Sequence, residues 1–157
     1  MSGEPSDLPY SGRFIDREHR FTVRVYYEDT DAGGVVYHAT YLRYAERART
    51  EALREAGIPH ADLLKRFALM FVVRHIEVDY VRPARLDDSL VVVTEPRAVG
   101  GATLTLRQDV RGPEGSCAVL TVRLACVRRG EGKPGRIPPP WRRVLSDMCA
   151  AAAQDRG

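Results

Sequence analysis

The sequence is poor in cysteine, with three, carries a single tryptophan, and has no apolar run that approaches a membrane span. Its longest apolar stretches, such as Leu69 to Val73 and Leu90 to Val93, fall far below the ~20 residues that a spanning helix requires. Met1 to Arg13 is polar and lacks the apolar centre of a signal peptide. These features predict a cytoplasmic protein without membrane insertion. Cys117, Cys126 and Cys149 form no CxxC pair and leave an odd count, which predicts reduced core thiols rather than a disulfide frame or a zinc site. No metal and no other cofactor is expected.

Also missing is any basic block. The net charge of +3 comes from arginines spread along the chain, without the aromatic interleaving of a nucleic-acid surface, so no nucleic-acid partner is expected. A mild positive field of this kind suits a small anionic ligand.

What is present is enough apolar residue for one well-cored domain: 157 residues, 44% of them hydrophobic. Residues 1–19 are rich in Gly, Pro, Ser and charge with no sustained period, which predicts a flexible N-terminal arm. The domain proper is expected over residues 20–130, followed over 131–157 by a proline-rich linker and a C-terminal helix. Phe21, Val23, Val25 and Tyr27 alternate with Thr22, Arg24 and Tyr26, the period of a half-buried strand. Glu28 to Gly34 then has the composition of a loop.

Beyond that loop, Tyr41, Ala45, Ala48, Ala52 and Ala56 recur at helical spacing. Arg43, Glu46, Arg47, Arg49, Glu51, Arg54 and Glu55 are assigned to the other faces. Thr40 is the expected N-cap, and Gly57-Ile58-Pro59 the stop. The stripe is mostly alanine, so this helix can approach a sheet closely. Asp62 to Arg66 can add a short helical turn, and Trp141 to Ala153 a terminal helix.

From Leu69 onward the pattern becomes strands: Ile76, Val78 and Tyr80 alternate with Glu77 and Asp79, then come Leu90–Glu95, Thr103–Val110 and Cys117–Val127. No helix-length pattern separates them, so the connections are short and the sheet mainly antiparallel. The expectation is an α+β fold, a curved five-stranded sheet wrapped around one long central helix.

The segment with chemistry in it is Tyr27 to His38, between the first strand and the long helix. A carboxylate here faces a helix start, where unpaired N–H groups and the positive end of the helix dipole stabilise a developing oxyanion. Gly33 and Gly34 let the backbone turn tightly and leave room for a thin substrate arm. A base or nucleophile beside such donors points to acyl transfer or hydrolysis.

The run Asp29-Thr30-Asp31-Ala32-Gly33-Gly34-Val35-Val36-Tyr37-His38, continued by Tyr41 to Thr50, resembles the 4-hydroxybenzoyl-CoA thioesterase family of hotdog-fold proteins, and within it the thioesterases associated with the Tol-Pal cluster. Val81 to Asp88 resembles the turn between the second and third strands of that family, and the likeness runs from about Phe21 to Val127. The resemblance implies a hotdog-fold acyl-CoA thioesterase with Asp31 as nucleophile or general base. The His38 backbone N–H would bond the thioester oxygen, and the Tyr37 and His38 side chains would either shape the acyl pocket or assist the departing thiolate. It further implies an acyl-CoA substrate held near Gly33, Gly34 and Tyr37, a homodimer or homotetramer, and a possible acyl carrier protein partner. Where the family commonly has Asn, this chain has Thr40.

Other polar residues carry plainer expectations. Asp29 should order the loop through backbone hydrogen bonds, and Glu46 should serve a helix or interface salt bridge. His60 and His75 lack metal-ligand spacing, and Asp87-Asp88 belongs to a turn. Arg97, Arg128 and Arg129 are candidates for the phosphates of coenzyme A, weighed against ordinary solvated charge. The competing function is a non-hydrolytic module that binds acyl-CoA or acyl carrier protein in the same cleft.

Overall fold

The computed structural model describes residues 10–154, and side chains through residue 149. Its elements in chain order are β1 (Arg13–Ile15), β2 (Glu18–Arg24), α1 (Thr40–Glu55), α2 (His60–Phe67), β3 (Leu69–Tyr80), β4 (Ser89–Val99), β5 (Thr103–Gly112), β6 (Gly115–Arg128) and α3 (Pro139–Gln154). All strands join one antiparallel sheet in the order β1-β2-β4-β5-β6-β3. The α+β architecture is as expected, with six strands rather than five.

The extra strand lies within the stretch read as an arm. Phe14 pairs with His19, and β2 begins at Glu18, so the sheet takes in residues 13–19 of the expected 1–19 arm. Residues 1–9 lie outside the described residues. His19 is fully buried and its Nε2–H donates to the Ser11 carbonyl at 2.8 Å, which ties the chain before β1 to the sheet. A polar residue at an inward position is what hid this strand from a hydrophobic pattern.

α1 buries the face that its spacing implied: Tyr41, Tyr44, Ala45, Ala48, Ala52 and Leu53. Ala45 and Ala48 have no exposed surface, and they share one core with Leu90 and Val92 of β4, Leu104 and Leu106 of β5 and Leu120 and Val122 of β6. A side chain of one carbon lets the helix axis settle close to the concave face of the sheet. The helix ends as the Gly57-Ile58 pair predicts. Gly57 takes φ +83°, its N–H donates to the Arg54 carbonyl, and the Ile58 N–H donates to the Leu53 carbonyl, satisfying two terminal acceptors.

The start differs from expectation. Thr40 is the first helical residue, Ala39 occupies the cap position, and no side chain caps it. α2 runs longer than the expected turn and stops at Ala68, in the left-handed region at φ +53°. Trp141 and Leu145 of α3 are buried in the same core, and the Trp141 ring meets Phe67 edge-on at 5.5 Å. The Arg66 guanidinium lies over both rings.

Inside the sheet runs one polar seam. Gln108 donates from Nε2 to the Ala45 carbonyl and to Thr94 Oγ1, both at 2.9 Å, and its Oε1 accepts from Arg49 at 3.1 Å. Arg49, assigned by its charge to an outer face, is only 7% exposed.

Candidate active site

The loop between β2 and α1 is built by local hydrogen bonds. Tyr27–Asp29 forms one 3-10 turn, with the Asp29 carboxylate accepting from the Tyr26 N–H at 2.9 Å. The Asp29 carbonyl accepts from the Tyr37 N–H at 2.9 Å, so Asp29 orders both sides of the loop. Thr30 and Val36 then face each other across an antiparallel bridge that holds Asp31 to Val35 as a tight turn.

Asp31 stands at the head of that turn, exposed in the isolated chain. Its Oδ1 accepts from the Gly33 N–H at 2.8 Å and the Val35 N–H at 3.4 Å, while its own N–H donates to the Val35 carbonyl. Oδ2 has no hydrogen bond among the described residues. The carboxylate is thus oriented through one oxygen and offers the other. Gly34 takes φ +82° with open space on the side where a Cβ would lie.

The polypeptide passes directly from this turn into α1. Among the described residues no hydrogen bond engages the N–H groups of His38 and Ala39, so two donors stand free at the helix entrance. The loop after β3 braces them. The Val36 N–H donates to the Ala84 carbonyl, the Ala84 N–H donates to the Tyr41 hydroxyl at 3.1 Å, and Val35 bridges Arg85. The Tyr80 hydroxyl donates to the His38 carbonyl at 2.8 Å. The Tyr37 and His38 rings lie 4.4 Å apart, and Tyr80 meets His38 edge-on at 6.4 Å. Asp87, at φ +71°, and Asp88, whose carboxylate accepts from the Arg85 N–H, belong to the turn that leads into β4.

Burial sets the protonation of five other potential nucleophiles in the fold. Burial raises the Tyr41 phenol, and burial together with the neighbouring Asp29 carboxylate raises that of Tyr44. Burial also raises the thiols of Cys117, Cys126 and Cys149. All five therefore stay protonated near neutrality, whereas the Asp31 carboxylate is solvent-exposed.

Gly33 and Gly34 share the Asp31 turn, and Tyr37 and His38 follow it along the chain toward α1; the three arginines lie elsewhere in the fold. Arg97 lies near the end of β4, Arg128 closes β6, and Arg129 follows it. Arg128 pairs with Leu69 at the start of β3, whereas Tyr80, beside His38, is at the other end. At ~3.3 Å per residue the two ends stand about 36 Å apart along the strand. Arg97 is also engaged by Glu95 at 2.6 Å. Glu46 makes no ion pair within the chain among the described residues, so the expected helix salt bridge is not formed there. His75 is exposed beside Glu77, and His60 packs near Phe71.

A curved antiparallel sheet closed around an alanine-faced helix, with an oriented aspartate at the helix entrance, is the architecture of a hotdog-fold protein. A family model described as "Thioesterase superfamily" matches residues 33–130, beginning just after Asp31. The acyl-CoA thioesterase YbgC of Haemophilus influenzae is 48% identical over 124 residues, covering 79% of this chain and 91% of that protein. The acyl-CoA thioester hydrolase YbgC of Escherichia coli is 44% identical, covering 76% and 89%. The crystal structure of a probable thioesterase from Bartonella henselae superposes with a TM-score of 0.73 at 40% identity, covering 77% of this chain and 99% of that one. The chain belongs to the thioesterase superfamily.

Proposed function

We propose that this protein hydrolyses acyl-CoA thioesters, with Asp31 as the catalytic carboxylate and the N–H groups at the entrance of α1, that of His38 foremost, as oxyanion donors. The observation that carries the reading is the Asp31 side chain, held through Oδ1 by the Gly33 and Val35 N–H groups with Oδ2 left free. The substrate class is taken from relatives 44–48% identical that are named for acyl-CoA hydrolysis.

Two routes share this geometry. In one, Oδ2 attacks the thioester carbonyl, the C–S bond breaks, coenzyme A leaves as thiolate, and water hydrolyses the resulting anhydride. In the other, Oδ2 takes a proton from water as the water oxygen attacks, and that proton reaches the departing sulfur. Either way one water is consumed, and a free acid and a free thiol are released. One oxyanion donor contributes about 3 kcal/mol and a positioned general base about 3–5 kcal/mol, near the lower bound of enzymatic acceleration.

The protein is read as a cytoplasmic homo-oligomer. β3 is the longer of the two edge strands among the described residues and exposes Met70, Val72, Val73 and Tyr80, an edge suited to pairing with its own copy. Antiparallel two-fold pairing of β3 would carry Arg128 and Arg129 of one copy toward Tyr80 and His38 of the other, where a nucleotide diphosphate can be met. The test is thiol release from a panel of acyl-CoA thioesters by wild type and Asp31→Asn. A loss of at least 100-fold in kcat with unchanged folding is expected; undiminished hydrolysis by the variant overturns the assignment. Saturable binding by the wild type without thiol release would favour the binding module.

A further inference from the structure

Basic residues that the sequence scatters are gathered by the fold at one end of the sheet. Arg129, just after β6, donates its N–H to the Ala68 carbonyl at the end of α2, and the Arg128 N–H donates to the Lys133 carbonyl at 2.8 Å. The Ile137 N–H donates to the Gly101 carbonyl in the β4–β5 turn, and the Arg142 guanidinium donates to the Gly100 carbonyl. The Trp141 ring, at the start of α3, meets Phe67 at 5.5 Å and has the Arg66 guanidinium over it. These contacts hold the end of α2, the loop 129–138 and the first turn of α3 side by side.

Six cations stand on this end: Lys65 and Arg66 of α2, Lys133 and Arg136 of the loop, and Arg142 and Arg143 of α3. None of them belongs to β3, the edge that pairing with a second copy would cover. Arg128 and Arg129, which that pairing would carry toward the partner's site, are left out of the set. Arg142 is half-buried and the other five are exposed. Among the described residues no ion pair engages any of the six. Residues 65–68 and 130–143 contain a single acid, Glu131, so they carry +5 in a chain whose total is +3, and the rest of the chain carries −2. The positive field is therefore directional, and the fields of neighbouring cations add over a Debye length of ~10 Å.

Apolar groups are exposed among these charges. Phe67 is 37% exposed beside Arg66, and Pro139 and Pro140 are exposed ahead of Arg142. A nucleic acid would use a bare aromatic face for base stacking, whereas the Phe67 ring already has the Arg66 guanidinium over it. Cations spread over three segments, with an apolar side chain between them, match the phosphates of a lipid surface and the apolar layer beneath. We propose that the end of the domain formed by α2, the loop 129–138 and α3 is a docking surface for a bilayer rich in anionic phospholipid, its six cations on the headgroup phosphates and Phe67 at the acyl boundary. The contact is peripheral, since no helix among the described residues is long and apolar enough to cross a membrane. The surface is read from charge and exposure and does not depend on the hydrolysis proposed above.

The experiment is co-sedimentation of the full chain with vesicles of phosphatidylcholine, alone or with about one third phosphatidylglycerol, at ~0.1 and ~0.5 M salt. Wild type should bind the anionic vesicles at least ~10-fold more tightly than the neutral ones at low salt, and high salt should remove the difference. At roughly fivefold per cation, Lys133→Glu, Arg136→Glu and Arg143→Glu together should weaken binding by at least ~100-fold. Reversal of Arg17, Arg47 and Arg123, exposed elsewhere on the chain, changes the net charge equally and should weaken it far less. Should the first variant fail to fold, Arg143→Glu alone against Arg123→Glu alone decides in the same way. Equal binding of wild type to neutral and anionic vesicles, or a loss at the patch no greater than at the control positions, overturns the proposal. Tighter binding to a single-stranded RNA than to anionic vesicles of equal phosphate content makes the partner a nucleic acid and overturns it too. Vesicle binding breaks no thioester, so a negative result leaves the thiol-release test of hydrolysis unaffected.

Discussion

The Tyr80 hydroxyl, at the last residue of β3, donates to the His38 carbonyl at 2.8 Å, just ahead of α1. The His38 carbonyl shares its peptide plane with the Ala39 N–H, so this one bond sets the direction of a donor at the helix entrance. The sheet edge thereby fixes the orientation of the proposed oxyanion site.

Tyr80→Phe is therefore expected to lower kcat for acyl-CoA hydrolysis about 3- to 30-fold with KM little changed. The expected stability loss is ~0.5–1.5 kcal/mol, the net value of one hydrogen bond. Steady-state kinetics beside a denaturant titration separates the two effects. Wild-type kcat would show that the bond plays no part in positioning.

Acidification should destabilise the fold through two histidines. Burial lowers the pKa of His19 and of His60 below 6.5 in the folded state. As pH falls through 6.5 the unfolded chain takes up protons that the folded chain refuses, so their contribution is complete above that value and is lost on the way down to the folded pKa. Calorimetric Tm should be level above about pH 7.5 and fall toward pH 5. The slope should be smaller in His60→Gln; a Tm that rises on acidification contradicts this.

Trp141→Ala should cost about 3–5 kcal/mol, as expected for a large aromatic removed from a closed core. The ring is 2% exposed and is flanked by Phe67 and Arg66. Urea denaturation should give a lower midpoint with an unchanged m-value, while the proposed site, built on the β2–α1 loop, keeps its geometry. An unfolding free energy within ~0.5 kcal/mol of wild type would show that α3 is not an integral part of the fold.

Much of this molecule was legible in the sequence, because its signals are local. The alanine stripe gave α1, the Gly57 stop gave its end, and period-two alternation gave the body of β2 to β6. What escaped depends on distant partners. β1 and the start of β2 are polar strands whose inward residue is His19, recognisable only once the Ser11 carbonyl is in place. Arg49 looked like one more surface charge on α1, and its burial rests on Gln108, 59 positions away. The cap at Thr40 failed because the chain enters α1 through the Tyr37 carbonyl, which accepts from the Thr40 N–H. At the site, Asp31 and its glycines were readable as one segment. The bracing by Tyr80 and Ala84 was not, since it arrives from the far side of α1 and α2.

The sheet order also has a history in it. β3 precedes β4, β5 and β6 in the chain, yet its one neighbour in the sheet is β6, the last strand to be made. At ~5–20 residues per second of synthesis, the stretch from Tyr80 to Arg128 takes roughly 2–10 s to follow. For that interval β3 leaves the ribosome with neither edge satisfied, carrying Met70, Phe71, Val72 and Val73 in sequence. The strand that anchors His38 thus waits as an unpaired apolar segment of the nascent chain until the C-terminal hairpin of β5 and β6 covers its inner edge.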